Sequence, residues 1–248
     1  MLGRRNTRSS VLGTLIWYSL LMFLAVGMDL RAGSEGCYLG IGGQLFAVIF
    51  ALSFYFSVTT YKSIGEELQS GRIRMWVTAP VSRQKYYFDL FVKLTQVGLV
   101  VAVILFFVPC LIFPLYSGYF PADLFLAAFG IIQVTIALAA FSIAGNSFFH
   151  NKFFPAFNIV FPIITLIVFF RSSLGSNPAI AKTVCNALFP VGIGYSNVAA
   201  GHLPPPSSGI EIIGELPNFS GIAQNIYPFL WSAFLITASL MKLNRSDQ

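Results

Sequence analysis

Residues 62–90 carry charged side chains of both signs between two long apolar runs. Ser63 stands three residues before Glu66, a spacing at which a hydroxyl and a carboxylate cap the first turn of a helix. Pro80 ends a helix and holds the residue before it extended. Ser82 is placed to cap the helix that follows. The spacing therefore predicts a stiff helix–turn–helix bracket in this loop.

The chemistry that the bracket offers is binding. It combines Met75, Trp76 and Val77 with arginines and glutamates, and Trp and Arg are favoured at protein interfaces. Anionic lipid head groups would attract the arginines, whereas a cytosolic protein would also accommodate Glu66 and Glu67. The residues alone leave both partners open.

Signatures of catalysis are absent from the sequence. No G-x-x-x-x-G-K-[ST] phosphate loop occurs, and His150 and His202 belong to no H-E-x-x-H motif. The three cysteines show no metal-ligand spacing. We therefore expect no catalytic centre, metal or cofactor on this chain. Cys37 and Cys185 are predicted to face the same side of a membrane, and whether they form a disulfide is not decided.

The composition predicts an all-α membrane protein. Hydrophobic residues make up 56% of the 248 positions and charged residues 10%, whereas about a quarter of a soluble domain is charged. A helix needs about 20 apolar residues to cross a bilayer, and the sequence holds six such runs. We predict a single domain over residues 1–248 with transmembrane helices at 11–29, 41–61, 91–114, 124–146, 156–174 and 225–241.

The first run has a second interpretation. Arg4, Arg5 and Arg8 precede an apolar stretch, as in a secretory signal peptide. Its apolar core has about 18 residues, whereas the apolar region of a signal peptide has about 7–15. The small residues that mark a cleavage site are also poorly matched. We interpret it as a retained transmembrane helix.

The basic residues predict the orientation. With six spans and both termini in the cytoplasm, Arg31, Arg171 and Lys182 are the only three of 15 basic residues that fall outside. Cytoplasmic loops of membrane proteins carry the excess of Lys and Arg. The positive net charge is thereby explained without nucleic acid, which we exclude as a partner.

Two further features lie near the membrane in this prediction. Residues 179–200 are moderately apolar but broken by Pro190, Gly192 and Gly194, which favours a short re-entrant or surface element buried against protein. Polar groups in the middle of the predicted spans are uncharged, namely Gln44, Gln133 and Asn158. We favour hydrogen bonding between helices for them over contact with a substrate.

The stretch from Tyr38 to Leu94 resembles the core of the type-2 membrane subunits of ATP-binding-cassette (ABC) exporters. That permease family exports drugs, lipids and polysaccharides from bacteria. Its hallmark is an apolar second span, a Glu-x-x-x-Gly element and a Thr-x-Pro-Val-Ser-Arg-like turn before the third span. Here these elements are Glu67–Gly71 and Thr78–Arg83. The resemblance covers about a quarter of the chain closely and the remainder by its pattern of spans.

The resemblance implies a permease subunit of the bacterial inner membrane that works as a dimer with an identical or homologous permease. The loop would be a coupling helix that docks on a separate cytosolic ATPase, which binds ATP and magnesium. The substrate would be amphiphilic, lipid-like, drug-like or a glycan, and the second and fifth spans would line its route. The residues assigned to coupling are Glu66, Glu67, Gly71, Arg72, Arg74, Pro80, Ser82 and Arg83.

Two other functions remain open. A membrane scaffold or assembly factor would need neither an ATPase nor a pathway, but it would have no need of a stiff charged bracket. A membrane enzyme acting on lipid is less favoured, because paired acid, base or nucleophilic groups are missing.

Overall fold

The computed structural model describes residues 12–13, 16, 36–65, 83–117, 124–149, 154–173, 187–194, 197 and 221–245. Every element in this part of the chain is helical. Five long helices are present, and we number them α1 to α5. They are α1 (Gly36–Thr60), α2 (Arg83–Ser117), α3 (Leu124–Phe148), α4 (Phe154–Ser173) and α5 (Gly221–Arg245).

Two described stretches are long and apolar enough to cross a membrane. They are Lys85–Leu105, with 21 residues, and Phe125–Phe148, with 24. At a rise of about 1.5 Å per residue each exceeds about 30 Å, the thickness of a hydrocarbon core. A shorter apolar stretch covers Val48–Ile64. The prediction of an all-helical protein holds for the described residues, and the first predicted span lies almost wholly outside them.

The helices alternate in direction. α1 runs toward residue 66 and α2 runs away from residue 82, so we call this side the loop end of the bundle. α3 ends there, because Asn146 contacts Thr60, and α4 begins there, because Ser57 contacts Pro155. α5 also ends there, since Leu240 packs with residues of α2 and α3.

Proline acts differently at its two positions in α4. The sequence alone predicts a kink of this helix at both Pro155 and Pro162, and the structure gives a different result for Pro155. Pro155 is the second residue of α4, where a missing N–H breaks no helical hydrogen bond. Pro162 lies inside the helix and removes one such bond, so the interruption falls at Pro162 alone.

A short segment between α4 and α5 is buried in the core. Phe189, Val191 and Ile193 are at most 5% exposed, and residues 191–194 form one helical turn. A Cβ added at Gly194 would lie 2.8 Å from the carbonyl oxygen of Gly130 in α3. Residues 189–194, the described and buried part of the predicted 179–200 element, thus pack against protein; its re-entrant or surface placement stays a prediction.

Large apolar side chains cover much of the exterior. On α5 they recur at intervals of four residues and so share one face of the helix; these are Ile222, Ile226, Leu230 and Phe234. α2 exposes Val100, Val103 and Ile104, and α4 exposes Phe157, Val160 and Ile164. Such continuous apolar stripes are rare on soluble monomers.

Candidate functional site

The two helical segments that flank the 66–82 loop, which we call its stems, pack against each other. α1 continues as a π-helix, Tyr61–Gly65, and Ile64 within it is 1% exposed. Ile64 clusters with Tyr87 and Leu90 of α2 and with Ile143 of α3. The residues that enter and leave the 66–82 loop therefore sit on one packed apolar base. A segment held at both ends in this way can transmit force to the helices.

Buried hydrogen bonds tie the loop end of α1 to two other helices. Asn146 Nδ2 donates to Thr60 Oγ1 over 2.8 Å, and both residues are at most 1% exposed. One turn earlier, the Ser57 hydroxyl donates to the carbonyl oxygen of Pro155 over 2.6 Å. We call these four residues the loop-end clasp. It joins α1 to α3 and to α4.

A second polar group, the amide cluster, lies farther along α3. Asn197 Nδ2 donates to Gln133 Oε1 over 2.7 Å and to Asn225 Oδ1 over 2.9 Å. Gln133 Nε2 donates to the backbone carbonyl of Asn225 over 2.9 Å. Asn225 lies three residues before Pro228, within the turn of α5 that the proline disturbs. The cluster joins α3, α5 and the short buried segment, and it confirms hydrogen bonding between helices for Gln133.

Asn158 behaves differently from Gln133. It is 1% exposed, yet neither its Nδ2 nor its Oδ1 has a hydrogen-bond partner within the part of the chain that the structure describes. The hydroxyls of Tyr55, Thr59 and Thr95 share this property. An unpaired buried amide is costly. Among the described residues, no hydrogen bond between helices accounts for Asn158, so both this role and contact with a substrate stay predictions for it.

Replacement by leucine should have different effects on stability at Gln133 and at Asn158. We expect Gln133→Leu to destabilise the protein by about 1–2 kcal/mol, because it removes the acceptor of one Asn197 N–H and the donor to the backbone carbonyl of Asn225. Asn158→Leu removes a polar group without breaking a bond, so stability should be unchanged or higher. Thermal unfolding of both variants in one detergent measures the difference. Equal losses would show that Asn158 has a partner in the folded protein.

The predicted coupling residues fall mostly outside the described part of the chain. This applies to Glu66, Glu67, Gly71, Arg72, Arg74, Pro80 and Ser82. Arg83 is the first residue of α2, which agrees with the predicted helix start after Ser82. His150, His202 and Cys185 also lie outside the described residues. The structure therefore does not test whether Cys37 and Cys185 form a disulfide.

From the sequence, Phe54, Tyr55, Phe161 and Phe169 could suit an amphiphilic substrate, although packing is the favoured role. Tyr55 and Phe161 occupy packing positions in the structure. Tyr55 is fully buried and contacts Phe56 edge to face. Phe161 stacks on Phe141 with ring centroids 5.2 Å apart, and Phe141 in turn contacts Phe189. These contacts favour a packing role for Tyr55 and Phe161.

Comparison with known proteins adds no assignment. No family model matches the chain, and the searches of curated proteins and of solved structures give no significant match. Among the described residues, no group of three or more His, Cys, Asp or Glu side chains could hold a metal ion. The candidate site is therefore defined by its flanking helices: the charged sequence 66–82 lies between two stems that pack against each other.

Proposed function

We propose that the chain is a multi-pass permease subunit of an ABC exporter in the bacterial inner membrane. Six helices would cross the membrane, with both termini and the 62–90 loop in the cytoplasm. Two stretches of membrane-crossing length support this reading, and so do the exposed apolar stripes of α2, α4 and α5. Side chains such as Phe234, 69% exposed, would face lipid.

The distribution of basic residues supports the orientation. Lys62, Arg83, Lys85 and Lys242 all belong to the loop end of the bundle, where α1 and α5 end and α2 begins. Arg171 lies at the opposite end of α4. An excess of Lys and Arg marks the cytoplasmic side of a membrane protein, so the loop end would face the cytoplasm.

The observation that carries the coupling proposal is the shared base of the loop. Ile64 on one stem packs with Tyr87 and Leu90 on the other. A cytosolic ATPase docked on residues 66–83 would therefore pull on α1 and α2 together. A loop that merely rests on lipid has no need of stems fastened in this way.

The mechanism follows from a two-state element. ATP and magnesium would bind to the partner ATPase, and closure of two ATPase subunits would move the docked loops. Two permease copies, identical or homologous, would enclose the route of an amphiphilic, lipid-like, drug-like or glycan substrate. α1 and α4, the second and fifth predicted spans, would line it. Asn158, buried in α4 without a partner among the described residues, is the first residue to examine there.

Affinity purification of the tagged chain from its native membrane in mild detergent tests the proposal. We expect a soluble ATPase to accompany it in about equal amount, together with a second permease subunit. Recovery of the chain without an ATPase in several detergents would overturn the exporter assignment. It would favour the scaffold alternative and leave the loop to lipid.

A further inference from the structure

The end of α1 is held by hydrogen bonds to two neighbouring helices. The helix passes into a π-helix at Tyr61–Gly65, a wider turn that is rare and often found at functional sites. The chain therefore enters the loop just after residues that contact other helices. Thr60, the last residue of α1, provides such a contact.

Thr60 is fixed by hydrogen bonds on both sides of its hydroxyl. The hydroxyl donates its hydrogen to the carbonyl oxygen of Phe56 over 2.6 Å, which leaves the oxygen lone pairs free to accept from Asn146. Asn146 Nδ2 also donates to the carbonyl oxygen of Ser142 over 2.9 Å. Each side chain is thus anchored to its own helix while it contacts the other, and such chains of hydrogen bonds reinforce one another.

α3 connects the hydrogen bond between Asn146 and Thr60 with the amide cluster. Asn146 and Gln133 lie on the same helix, about 20 Å apart along its axis. At the far position Gln133 contacts Asn197 of the buried segment and the backbone of Asn225 in α5. A shift of α3 at the loop end would therefore displace these partners too, because a packed helix moves as a unit.

We infer that Asn146 is a positioning residue. Through its hydrogen bond to Thr60, it transmits movement at the loop end of α1 along α3 to the amide cluster of Gln133, Asn197 and Asn225. The inference rests on the proposed function, because the loop moves only if an ATPase is docked on it. In this inference, α3 carries the movement from Asn146 to Gln133.

Thr60→Val tests the inference, since it keeps the shape of the side chain and removes the hydroxyl. Thr135→Val is a matched control: Thr135 is also fully buried, but its hydroxyl bonds to Ile131 within its own helix, over 2.7 Å. Thr60→Ser retains the hydroxyl and should restore the wild-type behaviour. Asn146→Leu removes the other partner of the same bond.

The measurement is amide hydrogen exchange of the purified permease–ATPase complex, with and without a non-hydrolysable ATP analogue. In the wild type, the analogue should change exchange in residues 187–197 and 221–228. Thr60→Val and Asn146→Leu should each reduce this change about five-fold or more, and their combination should reduce it no further. Thr135→Val and Thr60→Ser should respond like the wild type.

The outcomes separate the inference from the proposed function. If the ATPase remains bound and Thr60→Val and Asn146→Leu respond like the wild type, the role of Asn146 is wrong while the exporter assignment stands. The same conclusion follows if Thr135→Val loses the response as fully as Thr60→Val. If the wild-type chain brings down no ATPase, the proposed function fails and the inference fails with it.

Discussion

Arg83→Glu should weaken the association between the chain and the proposed partner ATPase by about thirty-fold, the loss expected of one central interface residue worth about 2 kcal/mol. Arg83 begins α2, at the point where the loop rejoins the bundle. In the proposed complex, a guanidinium at this position would attract an acidic surface of the ATPase, and a carboxylate would repel it. The amount of ATPase that copurifies with each variant, at a fixed salt concentration, measures the effect.

Lys242→Glu provides the matched control. Lys242 is an exposed basic residue near the end of α5, so it lies at the loop end of the bundle but outside the loop. Its reversal changes the net charge equally and should leave ATPase recovery within about two-fold of the wild type, as for other exposed charges. Undiminished ATPase recovery with Arg83→Glu, at normal abundance of the chain, would remove Arg83 from the docking surface.

The salt dependence of ATPase recovery distinguishes docking at Arg83 from a general effect of net charge. Interactions between exposed charges are screened within about 8 Å at physiological ionic strength. The difference between Arg83→Glu and the wild type should therefore be largest at low salt and shrink as salt rises. Equal losses from Arg83→Glu and Lys242→Glu would indicate that the overall positive charge at this end of the molecule holds the partner.

The helices were predictable where long apolar runs encode them. Runs at 91–114, 124–146 and 225–241 lie within α2, α3 and α5. The sequence placed the start of the third span at 91, whereas α2 begins at Arg83. An apolar run marks only the stretch suited to lipid, and α2 extends beyond it into residues such as Lys85 and Asp89, because capping and backbone hydrogen bonding set the end of a helix.

The polar contacts were predictable only in part. Gln133 was expected to bond between helices and does so, but its partner Asn197 lies 64 residues away, in a segment with no periodic signal. Ser53 and Ser57 are equivalent in sequence terms. Ser53 bonds within its own helix to Ile49, and Ser57 bonds to α4. Which hydroxyl faces a neighbour depends on how the helices are rotated, and local sequence does not specify rotation.

The close contact at Gly194 predicts a large loss of stability from a single methyl group. A Cβ at this position would lie 2.8 Å from Val134 Cγ2 and 3.0 Å from the Val134 backbone nitrogen, in addition to its contact with Gly130. Two of these three neighbours are backbone atoms of α3, which cannot move without disturbing that helix. Gly194→Ala should therefore destabilise the fold by about 2–3 kcal/mol, toward the upper end for overpacking.

Gly13→Ala provides the comparison for this substitution. A Cβ added at Gly13 would meet the ring of Phe54 at 3.4 Å, an ordinary van der Waals contact. Alanine is also the better helix former, so stability should be unchanged or slightly higher. Thermal unfolding of the two variants in the same detergent measures the difference. Equal stability of Gly194→Ala and the wild type would show that the segment does not rest on α3.

The amide cluster should be lost together with this contact. Gly194 lies three residues before Asn197, so separating the segment from α3 would also lengthen the bond from Asn197 to Gln133. In the double variant Gly194→Ala with Gln133→Leu, the total loss of stability should fall short of the sum of the single losses by about 0.5–1 kcal/mol, as expected for residues that share one contact. Strict additivity would contradict this coupling. It would mean that glycine packing and the amide hydrogen bonds hold the buried segment independently, and a movement of α3 would then reach the segment by packing alone.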